Sequence, residues 1–246
     1  YGFFKITEGE SSGLWSVLRS SEDEVMKGSL LITLYENLRW KTISPQGFRD
    51  EMLAYLPNES NSLLFSMALS YLGDCQRIFP SDSRPLEQAL WKIVTTNPVS
   101  QHRLQAFRLY RSIADSEEAV QRLYTLWQER KAPKDCTLSE SDYIGLSYIL
   151  AMHLPEKADK IIATQLSRIQ NPDRKKEYQF ISPSVSPRKA ERDSVFASLL
   201  IAGNRRVEPW ASSALANLNH RLREQESVAY LSLIHISEPT RPLYIS

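Results

Sequence analysis

Four histidines, two cysteines and two arginine-bearing stretches are the residues of this chain whose types suit chemistry. The histidines are His102, His153, His220 and His235. A hydrolytic zinc site needs two imidazoles on one helix face, as in His-Glu-x-x-His, and no pair here has helical spacing. Cys75 and Cys136 lie far apart, and Cys75 falls on an apolar stripe, where a thiol packs as a small hydrophobe. His153, between Met152 and Leu154, reads as a core or rim histidine before it reads as a general base. The chain has no Gly-x-x-x-x-Gly-Lys phosphate loop, no Gly-x-Ser-x-Gly elbow and no dinucleotide fingerprint.

The arginine stretches each admit two readings. In Asn171-Pro172-Asp173-Arg174-Lys175-Lys176-Glu177, Asn171 caps a helix, Asp173 answers its dipole and the cations form a solvated face. The alternative turns one cation inward to receive a carboxylate. Gly203-Asn204-Arg205-Arg206-Val207-Glu208-Pro209-Trp210 reads as a surface loop with a proline helix start. Its alternative is that Arg205 or Arg206 binds an acidic group. Tyr110, Tyr124, Trp127 and Tyr148 recur at helical spacing and belong to a core before they belong to a ligand cage.

The elements that would position these residues are all helices. Ser21-Glu22-Asp23-Glu24 has the capping-box form, and Ser44-Pro45 combines an N-cap with proline at the first helical position. Asn171-Pro172 and Ser186-Pro187 repeat that device, Asn97-Pro98 separates two helices, and Ser116 and Ser139 open acidic starts. Between these signals the apolar spacing is 3.6-like. On the first helix, ending near Trp40, Val25, Leu31, Leu34, Tyr35 and Leu38 share a side. Further stripes are Leu64, Met67, Ala68, Tyr71, Leu72, Cys75 and Phe79; Leu104, Phe107, Tyr110, Ile113 and Ala114; and Val120, Leu123, Tyr124 and Trp127. Ala158, Ile161, Ile162, Gln165, Leu166 and Ile169 complete the set. About eleven helices, paired at a spacing of roughly 35–45 residues, predict an all-α chain: an irregular HEAT-like α-helical superhelix of antiparallel helix pairs.

Composition narrows the classes further. The chain has 246 residues, of which 42% are hydrophobic, too many for intrinsic disorder. Thirty basic residues against 29 acidic ones leave no field for nucleic acid. No apolar run reaches the length of a membrane span. Eight glycines, about half the ordinary share, imply few left-handed turns and favour helix.

Both ends read differently from the middle. Residues 1–6, Tyr-Gly-Phe-Phe-Lys-Ile, suit the tail of a strand from a preceding domain. Residues 231–241, Leu-Ser-Leu-Ile-His-Ile-Ser-Glu-Pro-Thr-Arg, back-translate into a transposase sequencing adapter. Residues 231–246 are therefore set aside as non-native, His235 with them. The helical domain is expected over 7–230.

Several stretches resemble the C-terminal domain of bacterial zinc aminopeptidases of the aminopeptidase N type. They are Glu24-Val-Met-Lys-Gly-Ser-Leu-Leu-Ile-Thr-Leu-Tyr-Glu-Asn-Leu38, Phe107-Arg-Leu-Tyr-Arg-Ser-Ile113, Arg122-Leu-Tyr-Thr-Leu-Trp127 and Leu138-Ser-Glu-Ser-Asp-Tyr143. Ala163-Thr-Gln-Leu-Ser-Arg-Ile-Gln-Asn-Pro-Asp-Arg174, Asn204-Arg-Arg-Val-Glu-Pro-Trp210 and Leu218-Asn-His-Arg-Leu222 continue the order. The resemblance implies a truncated, non-catalytic domain that docks on a catalytic domain outside this chain and shapes peptide access. Zinc, its ligands and the free-amine site would belong to that parent enzyme, with no cofactor in this stretch. Arg174 and Arg205 become candidate contacts for a peptide carboxylate. The compartment, cytoplasmic or periplasmic, stays open. A HEAT-like scaffold binding a protein partner uses the same stripes and is the competing expectation.

Overall fold

The computed structural model describes residues 4–228 and 230, and among them all regular structure is helical. Twelve α-helices follow one another: α1 (Glu8–Ser20), α2 (Glu24–Arg39), α3 (Pro45–Tyr55), α4 (Ser62–Ile78), α5 (Arg84–Thr96), α6 (Ser100–Ile113), α7 (Glu117–Glu129), α8 (Glu140–His153), α9 (Ala158–Arg168), α10 (Pro172–Ile181), α11 (Lys189–Leu199) and α12 (Glu208–Leu218). Short 3-10 turns, among them Leu56–Asn58 and Ser182–Val185, link some of them, and residues 224–228 are helical again. The chain divides into two compact units, Tyr1–Leu138 and Ser139–Ser246.

In the first unit, consecutive helices fold back on each other, as α1 does on α2, α3 on α4 and α5 on α6. Alternate helices lie side by side. Trp15 and Arg19 of α1 meet Phe48 and Glu51 of α3. Along α2 and α4, Gly28 faces Leu64, and Tyr35 stacks on Tyr71 at 4.0 Å, so the two helices run the same way. Along α4 and α6, Phe65 stacks on His102 and Gly73 faces Leu109. A methyl group on Gly73 would stand 2.8 Å from the Leu109 Cδ1, so glycine lets these two helices approach. The second unit repeats the scheme. Glu140 and Ser147 of α8 bond to Arg174 and Tyr178 of α10, and Asp193 of α11 accepts from Tyr230. Hydrogen-bonded partners on alternate helices lie from 31 to 40 residues apart, a little closer than the sequence spacing predicts.

The apolar stripes are buried much as expected. Leu31, Leu34, Leu38, Leu72, Phe107, Tyr110 and Leu123 lose all contact with water. Val25 is a correction: it is 79% exposed. It stands six residues before Leu31, about 120° round the helix from the buried line.

Most caps fall where the sequence puts them: Ser44, Ser116, Ser139 and Asn171 each accept from first-turn backbone N–H groups. Two do not. Asp23, not Ser21, caps α2, because its carboxylate reaches the N–H of both Val25 and Met26. At Ser186-Pro187 the helix waits until Lys189, because the Ser186 carbonyl turns instead to Arg192 and Arg223. Among the described residues the left-handed positions fall to Lys41, Arg130 and Asp135 and not to glycine.

Of the two terminal segments, residues 1–3 and 231–246 lie outside the described residues. Phe4 to Ile6 are not in a strand ladder. The buried amide of Asn37 takes the place of a neighbouring strand, accepting from the Ile6 N–H at 3.0 Å and donating to the Phe4 carbonyl at 2.8 Å.

Candidate functional site

Arg174, in the first turn of α10, already has a carboxylate: Glu140 of α8 at 3.3 Å. The other Glu140 oxygen accepts from the Gln170 backbone N–H, so this ion pair fastens two helices of the second unit. Arg205 sits half-buried in the 3-10 turn Ala202–Arg205 and forms no hydrogen bond or ion pair with another described residue. Of the two candidate carboxylate contacts, Arg205 is the unengaged one.

Cys75 is fully buried between the Pro45 carbonyl and the Arg49 guanidinium, and burial pushes its thiol up, against the pull of Arg49. That keeps it a thiol and not a nucleophile.

The strongest electrostatic clusters lie at helix connections. Glu59, after α3, is buried and accepts from the Tyr55 hydroxyl, from Lys27 Nζ at 3.1 Å and from the Asn61 N–H at 2.7 Å. Burial alone would raise its carboxyl; the three donors outweigh burial and hold it below the ordinary value. Glu87 of α5 does the same for the turn into α7, accepting from the Asp115 N–H and from the N–H and hydroxyl of Ser116. It too is held low against burial.

The second unit uses cations. Arg192 of α11 donates to the Ser186 and Pro187 carbonyls and pairs with Glu226. Arg223 donates to the carbonyls of Ser184, Val185 and Ser186. Burial and the neighbouring charge of Arg192 pull the Arg223 guanidinium down to about 10.

One pair has the look of a nucleophile and its base. Ser62 Oγ, at the first position of α4, lies 3.0 Å from His102 Nε2 on α6. A hydrolytic triad needs a carboxylate on the far imidazole nitrogen to orient it. Here Nδ1 is buried without a hydrogen-bond partner, and Glu59 is committed to Tyr55, Lys27 and Asn61. The pair is not built for acyl transfer.

The described residues of the first unit line clefts, two of which bear on function. One of about 320 Å³ is lined by Leu53, Pro57, Ala89, Lys92 and Ile93 and brings no acid, base and nucleophile together. The other, of about 250 Å³, opens at the start of α7 between Arg84, Glu87 and Arg122, where Glu87 is engaged by the backbone. Among the described residues no three His, Cys, Asp or Glu side chains come together to hold a metal. No described helix is long and apolar enough to cross a membrane.

In the sequence His102 is one of four histidines with no motif about it, and Glu59, Glu87, Arg192 and Arg223 belong to no motif either. A signal existed for three of them. His102 is in phase with Ala106, Tyr110 and Ile113, Glu87 with Leu90 and Val94, and Arg192 with Phe196 and Leu199. A polar residue on an apolar stripe is held there by partners, because burial without them is costly. No family model, curated protein or solved structure matches this chain.

Proposed function

We propose that this chain is a non-catalytic helical domain of a zinc-dependent aminopeptidase of the aminopeptidase N type, and that in the parent it closes over the active site and shapes peptide access. One observation carries the reading. The stretches that resemble the family fall on helices and on helix starts of an all-helical chain, before and after α3 to α5. Glu24–Leu38 lies in α2, Phe107–Ile113 in α6 and Arg122–Trp127 in α7. Leu138–Tyr143 spans the capping box of α8, and Ala163–Arg174 carries the α9–α10 turn.

On this reading the domain supplies walls and closure, which order a peptide and exclude water, while the chemistry lies on another domain. Within the parent, Arg205 offers an unengaged guanidinium to a peptide carboxylate, and Arg174 offers one only after leaving Glu140. Arg205→Ala then raises KM for long peptides and leaves short anilides unchanged; equal kinetics for both lengths remove that role. The purified chain with added zinc releases no amino acid from aminoacyl anilides. Turnover that a chelator abolishes would overturn the non-catalytic reading.

A further inference from the structure

The His102 imidazole is fully buried at the seam between α4 and α6, lying flat on Phe65 with ring centroids 4.0 Å apart. Its single hydrogen bond, Nε2 to Ser62 Oγ, ties the first turn of α6 to the first turn of α4. We propose that this contact is an acid-sensitive latch, closed while the imidazole is neutral and released when it takes up a proton.

Three features of the site oppose the imidazolium. No water reaches it, and a charged ring without solvent is costly. Its Nδ1 would become a buried N–H with no acceptor. The ring stands at two helix N-termini at once, where the backbone dipoles already place partial positive charge. Burial accordingly lowers its proton affinity, with the Glu59 charge pulling the other way.

The surrounding charges do not rescue it. From the α3–α4 connection comes Glu59, already engaged by Tyr55, Lys27 and Asn61. On α5, Lys92 is exposed and of the same sign, and Glu87 is bound to Asp115 and Ser116. On α6 itself, Arg103 is turned to Asp135 and the Lys134 carbonyl. Proton uptake therefore favours an opened seam in which water reaches the ring. Helix α6 is the end that yields, since its N-cap, Val99, offers no side-chain acceptor, whereas Asn61 caps α4.

Hydrogen exchange of the amides that close the first turns, Phe65 N–H on the Asn61 carbonyl in α4 and Arg103 N–H on the Val99 carbonyl in α6, tests this, at about pH 7.5 and about pH 5, in the wild type and in His102→Gln. Glutamine keeps a donor for Ser62 and cannot take a proton. The wild type is expected to lose about tenfold in protection on acidification, after correction for intrinsic exchange, and His102→Gln to lose less than about twofold. Equal losses in the two proteins overturn the latch. An NMR titration of the His102 ring in the wild type decides the matter without a variant. A ring that stays neutral below 6.5, its ordinary value, supports the latch, and one that protonates at or above 6.5 overturns it.

Discussion

The two units solve one problem with different balances of buried acceptors and donors. Each must fasten the polar backbone of a helix connection inside a packed stack. In the first unit acceptors predominate: buried Asn37, Glu59 and Glu87 take the N–H groups of Ile6, Asn61, Asp115 and Ser116, while buried Arg49 takes the Phe79 carbonyl at the end of α4. In the second donors predominate: Arg192 and Arg223 take the carbonyls of residues 184–187, while buried Asp142 takes the Ser139 N–H. The difference follows from which helix end is presented. A connection entering a helix offers unpaired N–H groups, and one leaving a helix offers unpaired carbonyls. Carboxylates lose their charge in acid and guanidinium groups do not, so the same architecture has two different sensitivities.

Removing an anchor gives the largest effect. Arg192→Ala leaves the Pro187 carbonyl and Glu226 without their donor and the Ser186 carbonyl with Arg223 alone, and costs about 3 kcal/mol, as does Glu87→Ala in the other unit. Urea unfolding of both variants checks this. A loss below about 1 kcal/mol in either removes that side chain from the comparison.

Acid separates the units next. The stability Glu59 and Glu87 contribute is complete above 4.5, the ordinary glutamate value, and is lost as pH falls through their lowered values. Asp159, Glu191 and Asp193 in the second unit are also lowered, but they lie in water, where such pairs contribute little. Exchange protection below about pH 4.5 therefore falls first in residues 4–138. Glu59→Gln with Glu87→Gln flattens that acid limb; simultaneous loss in both units contradicts the contrast.

A finer test lies within α8 and α10, where two tyrosines stack at 5.1 Å. The Tyr178 hydroxyl shares a hydrogen bond with Ser147, whereas that of Tyr148 is buried without one. Tyr178→Phe costs about 1 kcal/mol, and Tyr148→Phe is neutral or slightly stabilising. Equal costs would show that stacking alone matters there. The smallest expected effect is that of deleting 231–246, which leaves Tm essentially unchanged.

Helix class and order were legible because apolar stripes and caps are local signals. Ala158 to Ile169 repeats at i, i+3 and i+4, and Ala158, Ile161, Gln165 and Ile169 are buried as that phase requires. Helix α1 is equally legible, through the Thr7-x-x-Glu10 capping box that directly follows the expected strand tail. The anchors were harder. Glu59 sits in a polar turn between Tyr55 and Asn61, and the fold adds Lys27 from 32 residues away to complete a buried centre. Arg174 shows the same limit. Its sequence announces a cation at a helix start, and only the fold supplies Glu140 as its partner.

The proposed place of this chain in a larger peptidase is tested most directly upstream of it. Reading the open frame before the Tyr1 codon in the source DNA should reveal, several hundred residues earlier, a His-Glu-x-x-His helix with a downstream zinc-ligating glutamate. A continuous frame encoding an unrelated domain there would contradict the peptidase account and leave the helical pairs as a scaffold for a protein partner.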